Sequence, residues 1–535
     1  MANLKLDNKD ISAVQMAEAG NLSPKVFDEG ISNVPTKYRG TDADRRDMTV
    51  LGKKQVLRRN FNFITMLGFA CTCVASWEGI LTYLYFPLVD GGTPLLFWGF
   101  IACAIGQTLV YASLAEMSSM SPTAGGQYHW VSEFAPPSLQ KILSYYSGWL
   151  TAIGWQVYLA SVCFLVGTLM QGLIALNNVD YSFKPWHGTL LTLGVVVFAI
   201  VFNTTLANRL PIIEGLILIL HVLGFFAIII PLWVMAPRRS TEDALLNFTN
   251  NGGWSSTGLS AMIGLLAPMA VLVGYDCAVH MGEEIKDASI TLPRAIMGSL
   301  AVNATLTFIV IITICYCLGD PEAAAASTTG YPFIEMLISG TRSLAGTNVM
   351  VAIVIIMLAA CGITEVAAAS RQIWAFARDQ GLPGHRWLCR VSPGWNIPLP
   401  AVIVSLTISA LLSLINLGST VALNAITSLG AVAVLSSYFL TIGTLVYRRA
   451  AGPELPPRRW SLGKYGMAIN VAALLFLMPL IFFLTWPLAT PVTAAGMNWS
   501  SVMLVGTLTI ATIYYLVKGR HEYVGPSVLM KREFE

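Results

Sequence analysis

The chain has 535 residues, of which 55% are hydrophobic and only 11% are charged. Soluble domains average about 25% charged residues, and roughly half of a folded surface must still meet water, so this composition excludes a soluble protein. The formal net charge of +3 is too small to indicate a nucleic-acid partner. A lipid bilayer is therefore the expected surrounding.

The cysteines give no sign of a disulfide framework or of a metal site. Of the nine, all but Cys389 lie inside apolar runs, and none shows paired metal-ligand spacing. No metal or other cofactor is expected. Residues 1–60 are polar, so no cleavable signal peptide is expected at this end.

The chain begins with this polar stretch, which we expect to be a cytoplasmic and disordered tail because it has few aromatic residues and mixed charge. Its end carries Lys53, Lys54, Arg58 and Arg59 directly before the first apolar run. Basic residues at that place are typical of contacts with anionic lipid headgroups.

About twelve apolar runs follow, each long enough to cross a bilayer core, which needs about 20 helical residues. The runs are continuous and not alternating, so they predict helices and exclude a barrel. The third is overlong, which indicates tilt or an extension beyond the bilayer. The sequence thus predicts an all-α polytopic domain over residues 61–517 and a C-tail over 518–535. The predicted spans cover residues 61–85, 94–118, 142–176, 187–207, 211–235, 259–285, 293–317, 346–370, 398–416, 421–447, 466–486 and 500–517.

The distribution of lysine and arginine predicts the orientation of the spans. With the N-terminus inside, all but four of the 32 basic residues lie in inner segments, as the positive-inside rule requires. Both termini are then cytoplasmic. The sequons Asn247-Phe-Thr and Asn498-Trp-Ser fall outside, where both asparagines are candidate glycosylation sites.

The first and sixth predicted spans are interrupted in matching ways. The first reads Gly68-Phe-Ala-Cys-Thr-Cys-Val-Ala-Ser-Trp-Glu78, and the sixth reads Gly274-Tyr-Asp-Cys-Ala-Val-His-Met-Gly-Glu-Glu284. Interrupted helices at corresponding places in two halves point to a transporter binding site, because unwound backbone offers free polar groups. The alternative is that the glycines only let helices pack closely.

Acidic side chains at membrane depth strengthen the case for a site, because an intramembrane charge is costly and normally faces a cavity or a partner. Glu78 follows Trp77, and the two together form a plausible cradle for a substrate amine. Asp276 lies in the second break, and Glu365 lies in the eighth span. Each of the three acids has a structural hydrogen-bonding role as its alternative.

Other polar residues near the spans favour different roles. His221 in the fifth span is either a proton relay or a packing residue. Glu116, Glu283 and Glu284 lie near the predicted cytoplasmic face, where contacts with arginine or lysine that gate the site are expected.

Several motifs resemble a known family. Residues 115–130, Ala-Glu-Met-Ser-Ser-Met-Ser-Pro-Thr-Ala-Gly-Gly-Gln-Tyr-His-Trp, are similar to the signature after the second span of the amino acid–polyamine–organocation superfamily. The chain resembles more narrowly the fungal amino acid/choline (GABA permease-like) transporters, over roughly residues 60–525. The motifs that carry this narrower likeness are Ala75-Ser-Trp-Glu78, Gly274-Tyr-Asp276, His280-Met-Gly-Glu-Glu284, Ser370-Arg-Gln372 and Pro456-Pro-Arg-Arg-Trp460.

The resemblance implies a leucine-transporter-like fold, with two inverted five-helix repeats and two further helices. It places the substrate between the first, third, sixth and eighth spans. The expected location is the plasma membrane, with the vacuolar membrane as the alternative. By this likeness the site is lined by Gly68, Thr72, Ser76, Trp77, Gly274, Tyr275 and Asp276, with Trp155 and Tyr158 on the third span.

Glu365 is a departure, since relatives usually have a neutral residue there. The substrate then carries more positive charge than theirs, or Glu365 handles protons. The expected function is secondary active, proton-coupled transport of a small amine-bearing solute. The sequence has no Gly-x-x-x-x-Gly-Lys-Ser/Thr loop for ATP hydrolysis. The alternatives are a nutrient sensor with the same fold and an intramembrane enzyme. The solute, direction of transport, coupling ion and oligomeric state are left open.

Overall fold

The computed structural model describes residues 40–178, 180–206, 209–392, 397–417, 422–494 and 496–527. Within these ranges the chain forms helices joined by loops. Its extended contacts there are two isolated bridges, which pair Phe61 with Ile285 and Asp90 with Asn250. The prediction of an all-α membrane protein is confirmed.

The twelve predicted spans correspond to helical segments, which we number span 1 to span 12. In the described part of the chain, ten are long and apolar enough to cross a membrane, while Thr257–Ala270 and Leu399–Ser413 are shorter apolar helices in spans 6 and 9. The bounds are Phe63–Val74, Ser76–Thr82 and Tyr85–Val89 (span 1), Gly92–Met120 (2), Gln140–Asn177 (3), Pro185–Thr205 (4), Leu210–Met235 (5), Thr257–Gly264, Leu266–Ala270 and Cys277–His280 (6), Ala288–Cys317 (7), Leu344–Arg378 (8), Leu399–Ser413 (9), Ala422–Ala451 (10), Gly466–Phe483 (11) and Ser500–Tyr514 (12).

Shorter helical elements lie between and around the spans. Local polar residues fix where several helices begin: Asn62 and Thr65 form a capping box at the start of span 1, and Ser343 caps span 8. The shorter α-helices are Asp42–Val50, Gln127–Phe134, Thr241–Leu245, Pro321–Ala325, Pro332–Thr341, His385–Leu388 and Arg520–Glu522, the 3₁₀ turns are Gly282–Glu284, Leu414–Leu417 and Gly463–Tyr465, and Tyr515–Gly519 is a π-turn.

Packing between the spans follows a regular rule. Spans 1, 2, 3 and 4 each pack against the span five places later in the chain, and span 3 also packs against span 10. Pairing of this kind is what two related five-helix halves produce, so it agrees with the expected architecture. Spans 11 and 12 are the least buried of the long helices and lie at the periphery, against spans 2, 3 and 10.

The end of the predicted disordered tail is folded, which corrects that expectation for residues 40–60. Residues 40–62, which we call the N-terminal strap, lie across one face of the bundle. Asp44 accepts hydrogen bonds from the backbone N–H groups of Asp287 and Ala288 (2.8 and 2.9 Å) at the start of span 7. It also lies 3.1 Å from Arg59, and both side chains are buried. Residues 1–39 lie outside the described part.

The strap also changes the expected role of its basic residues. Lys53 lies 3.4 Å from Asp379 at the end of span 8, and Arg59 donates to the backbone carbonyl of Gly282 (3.3 Å). Lys54 and Arg58 are exposed. Only these last two keep the predicted position for contact with lipid headgroups.

The face that carries the strap is closed by ion pairs. Glu283 pairs with Arg378 at 2.6 Å and Glu284 with Arg371 at 2.8 Å, which joins the end of span 6 to span 8. Glu116 pairs with Arg458 at 2.9 Å and also with Arg449. The predicted contacts of these three glutamates with basic side chains are confirmed. We call this the strap face of the bundle.

Candidate functional site

A cavity of about 40 Å³ lies between spans 1, 3, 6 and 8. A cavity of this kind needs about 10–15 Å³ for each water molecule, so the space holds a few waters. It must widen to admit a larger solute. The cavity is lined by Cys73, Val74, Ala75, Gly79, Tyr83, Trp155, Tyr158, Ser161, Val162, Leu165, Ala270, Val271, Val273, Gly274, Leu358, Cys361 and Glu365.

The break in span 1 lies at Ala75, which lines the cavity. Its backbone is left-handed, with φ 42° and ψ 51°, and it separates the helices Phe63–Val74 and Ser76–Thr82. An L-residue in that conformation costs roughly 1–2 kcal/mol relative to the right-handed helix. The sequence predicted an interruption in this stretch, and the structure places it seven residues after Gly68.

Gly68 itself lies inside the unbroken helix. A Cβ added there would be 3.0 Å from the backbone oxygen of Glu214 in span 5. The glycine thus permits a close approach of two helices, which favours its packing role over the predicted place in the substrate site.

The backbone of span 6 is not helical over residues 271–276, between the helices Leu266–Ala270 and Cys277–His280. Gly274 has φ +113°, a conformation that favours glycine, and its N–H donates to Tyr111 Oη at 2.9 Å. Gly274 lines the cavity. Unwound backbone therefore borders the cavity on two sides, from span 1 and from span 6.

Glu365 is the one charged side chain that lines the cavity among the described residues. Its Oε2 atom is buried and makes no hydrogen bond within the described chain. Trp155 and Tyr158 of span 3 line the same space. A carboxylate near aromatic rings is a chemically suitable environment for an organic cation.

Asp276 does not line the cavity but lies beneath Trp155, where it is fully buried. It accepts hydrogen bonds from Gln127 Nε2 (2.5 Å), Trp155 Nε1 (3.2 Å) and Tyr438 Oη (2.5 Å). With its lone pairs occupied in this way, the carboxylate serves the protein rather than a solute in this conformation.

Three further predicted site residues are used in contacts between helices. Ser76 Oγ and Tyr275 Oη lie 2.9 Å apart, and Asn303 of span 7 donates to Ser76 Oγ at 3.3 Å. Thr72 lies within the first helix of span 1, beside Glu214. These contacts hold the two breaks against each other and against spans 5 and 7.

Trp77 and Glu78 point toward span 5 rather than into the cavity. His221 Nδ1 lies 2.7 Å from Glu78 Oε1 and 3.1 Å from Trp77 Nε1. All three side chains are fully buried. The polar groups of Trp77 and Glu78 thus contact an imidazole, whereas the Glu365 side chain lines the cavity.

The predicted residues therefore separate into two groups. Trp155, Tyr158, Gly274 and Glu365 meet at the cavity, while the others support its walls. Sequence reasoning missed several supporting residues that make buried hydrogen bonds around the breaks. Gln127 and His280 lay within the family motifs, whereas no pattern marked the remaining ones. The missed residues are Tyr111, Gln127, Glu214, His280, Asn303 and Tyr438.

The family model described as "Amino acid permease" matches residues 61–508. A choline transporter of Saccharomyces cerevisiae is 29% identical, with 90% of this chain and 85% of that protein covered. The amino-acid permease BAT1 of Arabidopsis thaliana is 30% identical, with 91% and 96% covered. Amino-acid permease 2 of Neurospora crassa is 26% identical, with 97% and 96% covered. The chain therefore belongs to the amino acid permease family and is a multi-pass membrane transporter rather than an enzyme.

Proposed function

We propose that this chain is a secondary active transporter that moves a small amine-bearing solute by alternating access, driven by protons. The solute class includes amino acids, γ-aminobutyrate, choline and related metabolites. The relatives include a choline transporter and amino-acid permeases, which supports this range.

The observation that carries the proposal is the single carboxylate of Glu365 in a small cavity between two broken helices. The Oε2 atom of this buried carboxylate has no hydrogen-bond partner in the described chain, which favours an ionised amine beside it, because an unpaired charge in a low dielectric is costly. Trp155 and Tyr158 supply faces for the substituents on the nitrogen. The amine of the solute then supplies the hydrogen-bond partner that Glu365 Oε2 lacks.

The closed strap face supports alternating access. The glutamate–arginine pairs between span 6 and span 8 separate the cavity from that face, and they must part when the site opens toward it. The breaks at Ala75 and Gly274 supply hinges at which half of each span can move.

Orientation and location are part of the proposal. The excess of lysine and arginine on the strap face supports a cytoplasmic position for that face and for both termini. We propose the plasma membrane, with the vacuolar membrane as the alternative.

Uptake by cells that lack their own permeases tests the function. The chain is expressed at matched surface abundance, and radiolabelled amino acids, γ-aminobutyrate, choline and polyamines compete for entry. We expect saturable uptake of at least one amine-bearing solute that an uncoupler abolishes. Saturable binding without uptake would instead support the nutrient-sensor alternative, and uptake that persists with an uncoupler would exclude proton drive.

A further inference from the structure

The hydrogen bonds around His280 fix the position of one of its protons. His280 Nδ1 lies 3.0 Å from the backbone carbonyl oxygen of Ala124. A carbonyl oxygen only accepts, so Nδ1 carries a hydrogen and donates it. In the neutral ring, the other nitrogen, Nε2, is then an acceptor without a hydrogen.

That second nitrogen faces another acceptor. His280 Nε2 lies 3.4 Å from Asp276 Oδ2, and both side chains are completely buried. A neutral imidazole would thus oppose its lone pair to a carboxylate oxygen, which is unfavourable at low dielectric. One added proton removes the conflict, because an imidazolium donates from both nitrogens and its charge pairs with Asp276.

We propose that Asp276 and His280 form the site that binds the coupling proton, where the unwound part of span 6 meets the helix Cys277–His280. The proposal rests on the proposed function and specifies where its proton is held. The ligand is a proton alone: it bonds to the Nε2 lone pair of His280 when the pair is loaded and returns to water when the pair is emptied.

Four other elements contribute polar side chains around the pair. Spans 1, 7 and 8 also pack against the helix Cys277–His280, and span 8 brings Glu365 near Cys277. Span 2 contributes Tyr111, whose hydroxyl lies 3.4 Å from that of Tyr438 in span 10. The helix Gln127–Phe134 contributes Gln127, and span 3 contributes Trp155. On the same element, Cys277 follows Asp276. Within the described chain, none of these neighbours is a lysine or arginine, so the compensating positive charge comes from the histidine.

Two contacts join the proton site to the cavity. Trp155 lines the cavity with its ring and donates its Nε1 hydrogen to Asp276. Gly274 lines the cavity as well, and its N–H donates to the Tyr111 hydroxyl. That hydroxyl contacts the hydroxyl of Tyr438, which in turn donates to the Asp276 carboxylate. Loss of the proton restores the repulsion between Asp276 and His280. This weakens the contacts that hold Trp155 and Gly274 in place on the side of the cavity nearer the strap face.

Glu78 and His221 form the other buried carboxylate–imidazole pair at a break. Since an indole N–H only donates, the contact of Trp77 with His221 Nδ1 competes with that of Glu78 for the same atom. None of these three residues lines the cavity. The pair at span 6 is therefore better connected to the solute, and the pair at span 1 is the rival outcome of the test.

The first experiment uses the full chain in liposomes, with radiolabelled choline and a radiolabelled amino acid mixture as probes. A pH gradient should drive accumulation by the unaltered chain. His280→Gln should lower gradient-driven accumulation at least tenfold and keep solute exchange within about threefold. Asp276→Asn is the second variant and should also lower gradient-driven accumulation at least tenfold. His129→Gln, which alters a buried histidine paired with Glu133 away from the cavity, is the matched control and should behave as the unaltered chain.

The second experiment needs no solute. The rings of Trp155 and His280 lie 5.7 Å apart, edge to face, so protonation of the imidazole should quench the indole fluorescence. A pH-dependent part of the fluorescence should vanish in both Trp155→Phe and His280→Gln. Its persistence in His280→Gln would overturn the proposal.

The outcomes separate the site from the function. Gradient-driven accumulation by His280→Gln at the unaltered level would overturn the site and leave proton-driven transport standing. Loss of gradient drive in His221→Gln but not in His280→Gln would assign the proton to the pair at span 1 instead. Failure of the unaltered chain to accumulate either probe would overturn the inference together with the proposed function for these solutes.

Discussion

At the scale of single residues, Glu365 carries the specificity that we propose. Glu365→Gln keeps the shape of the side chain and removes its charge. A charge-assisted contact contributes roughly 1.5–3 kcal/mol, so the variant should raise KM about tenfold to a hundredfold for a cationic solute. Uptake kinetics at several solute concentrations measure this, with the exposed Glu322→Gln as the control. An unchanged KM would remove Glu365 from the site.

Glu78→Gln separates the two candidate acids. Because the Glu78 carboxylate faces His221 and not the cavity, we expect KM to stay within about threefold of the unaltered value. The same kinetic assay decides. A strong rise in KM for Glu78→Gln alone would support the substrate role that the sequence first predicted for this residue.

At the scale of elements, the two glycines once predicted to act alike should behave differently. Gly274→Ala forces an alanine to φ +113°, at roughly 1–3 kcal/mol, and should lower uptake more than tenfold at normal surface abundance. Gly68→Ala crowds the backbone of span 5 and should lower thermal stability first. Uptake, surface labelling and thermal unfolding of both variants test this. Normal uptake by Gly274→Ala would return this glycine to a packing role.

The N-terminal strap should respond to pH through Asp47. Burial raises the pKa of the Asp47 carboxyl from 3.8 to about 6, so the folded strap favours its protonated form. The stability that this adds is present below about pH 4 and is lost as the pH rises to 6. Asp47→Asn should therefore strengthen the strap at pH 7, by about 1–2 kcal/mol after allowance for partial exposure, and change little at pH 4.

Hydrogen exchange of the backbone over residues 42–50 measures the strap directly. The Asp47→Asn variant should exchange more slowly than the unaltered chain at pH 7. Faster exchange at pH 7 would mean that the ionised carboxylate stabilises the strap. His129→Gln, outside the strap, serves as the control.

How far the sequence predicted these elements depends on the kind of signal. Continuous apolar runs fixed the number and order of the spans, because the bilayer demands long apolar helices. The broken helices were visible from small and polar residues in two of them. The direction of each side chain was not, because whether Glu78 faces the cavity or His221 depends on rotation of a half-helix about a break. Partners far along the chain, such as Tyr438 for Asp276, have no local signal.

At the scale of the whole molecule, the proposed orientation can be tested with introduced cysteines. Glu242→Cys and Ala451→Cys place thiols at exposed positions on opposite faces of the bundle. An impermeant thiol reagent applied to intact cells should label the first at least tenfold more than the second. Labelling of the second alone would reverse the orientation. Permeabilised cells, in which both should react, provide the control.

Glycosylation provides an independent marker of the outer face. Asn247 is exposed, whereas Asn498 is buried and donates to Ser428 Oγ and the Leu484 carbonyl at 3.0 and 3.2 Å. If the chain is glycosylated, Asn247→Gln should remove the glycan and Asn498→Gln should not. Electrophoresis before and after glycosidase treatment reports the difference. A glycan at Asn498 would contradict the packing of its amide.

The left-handed backbone of Ala75 has a consequence for how the two halves of the molecule share the work of transport. Span 6 bends at a glycine without steric conflict, whereas span 1 bends at a residue that resists the bend by roughly 1–2 kcal/mol. A difference of that size changes a population ratio by a factor of about 5–30. A conformation of span 1 in which Ala75 takes right-handed helical backbone angles avoids this cost. The two hinges thus differ in backbone strain: the hinge in span 1 is strained at Ala75, whereas the hinge in span 6 is not strained at Gly274.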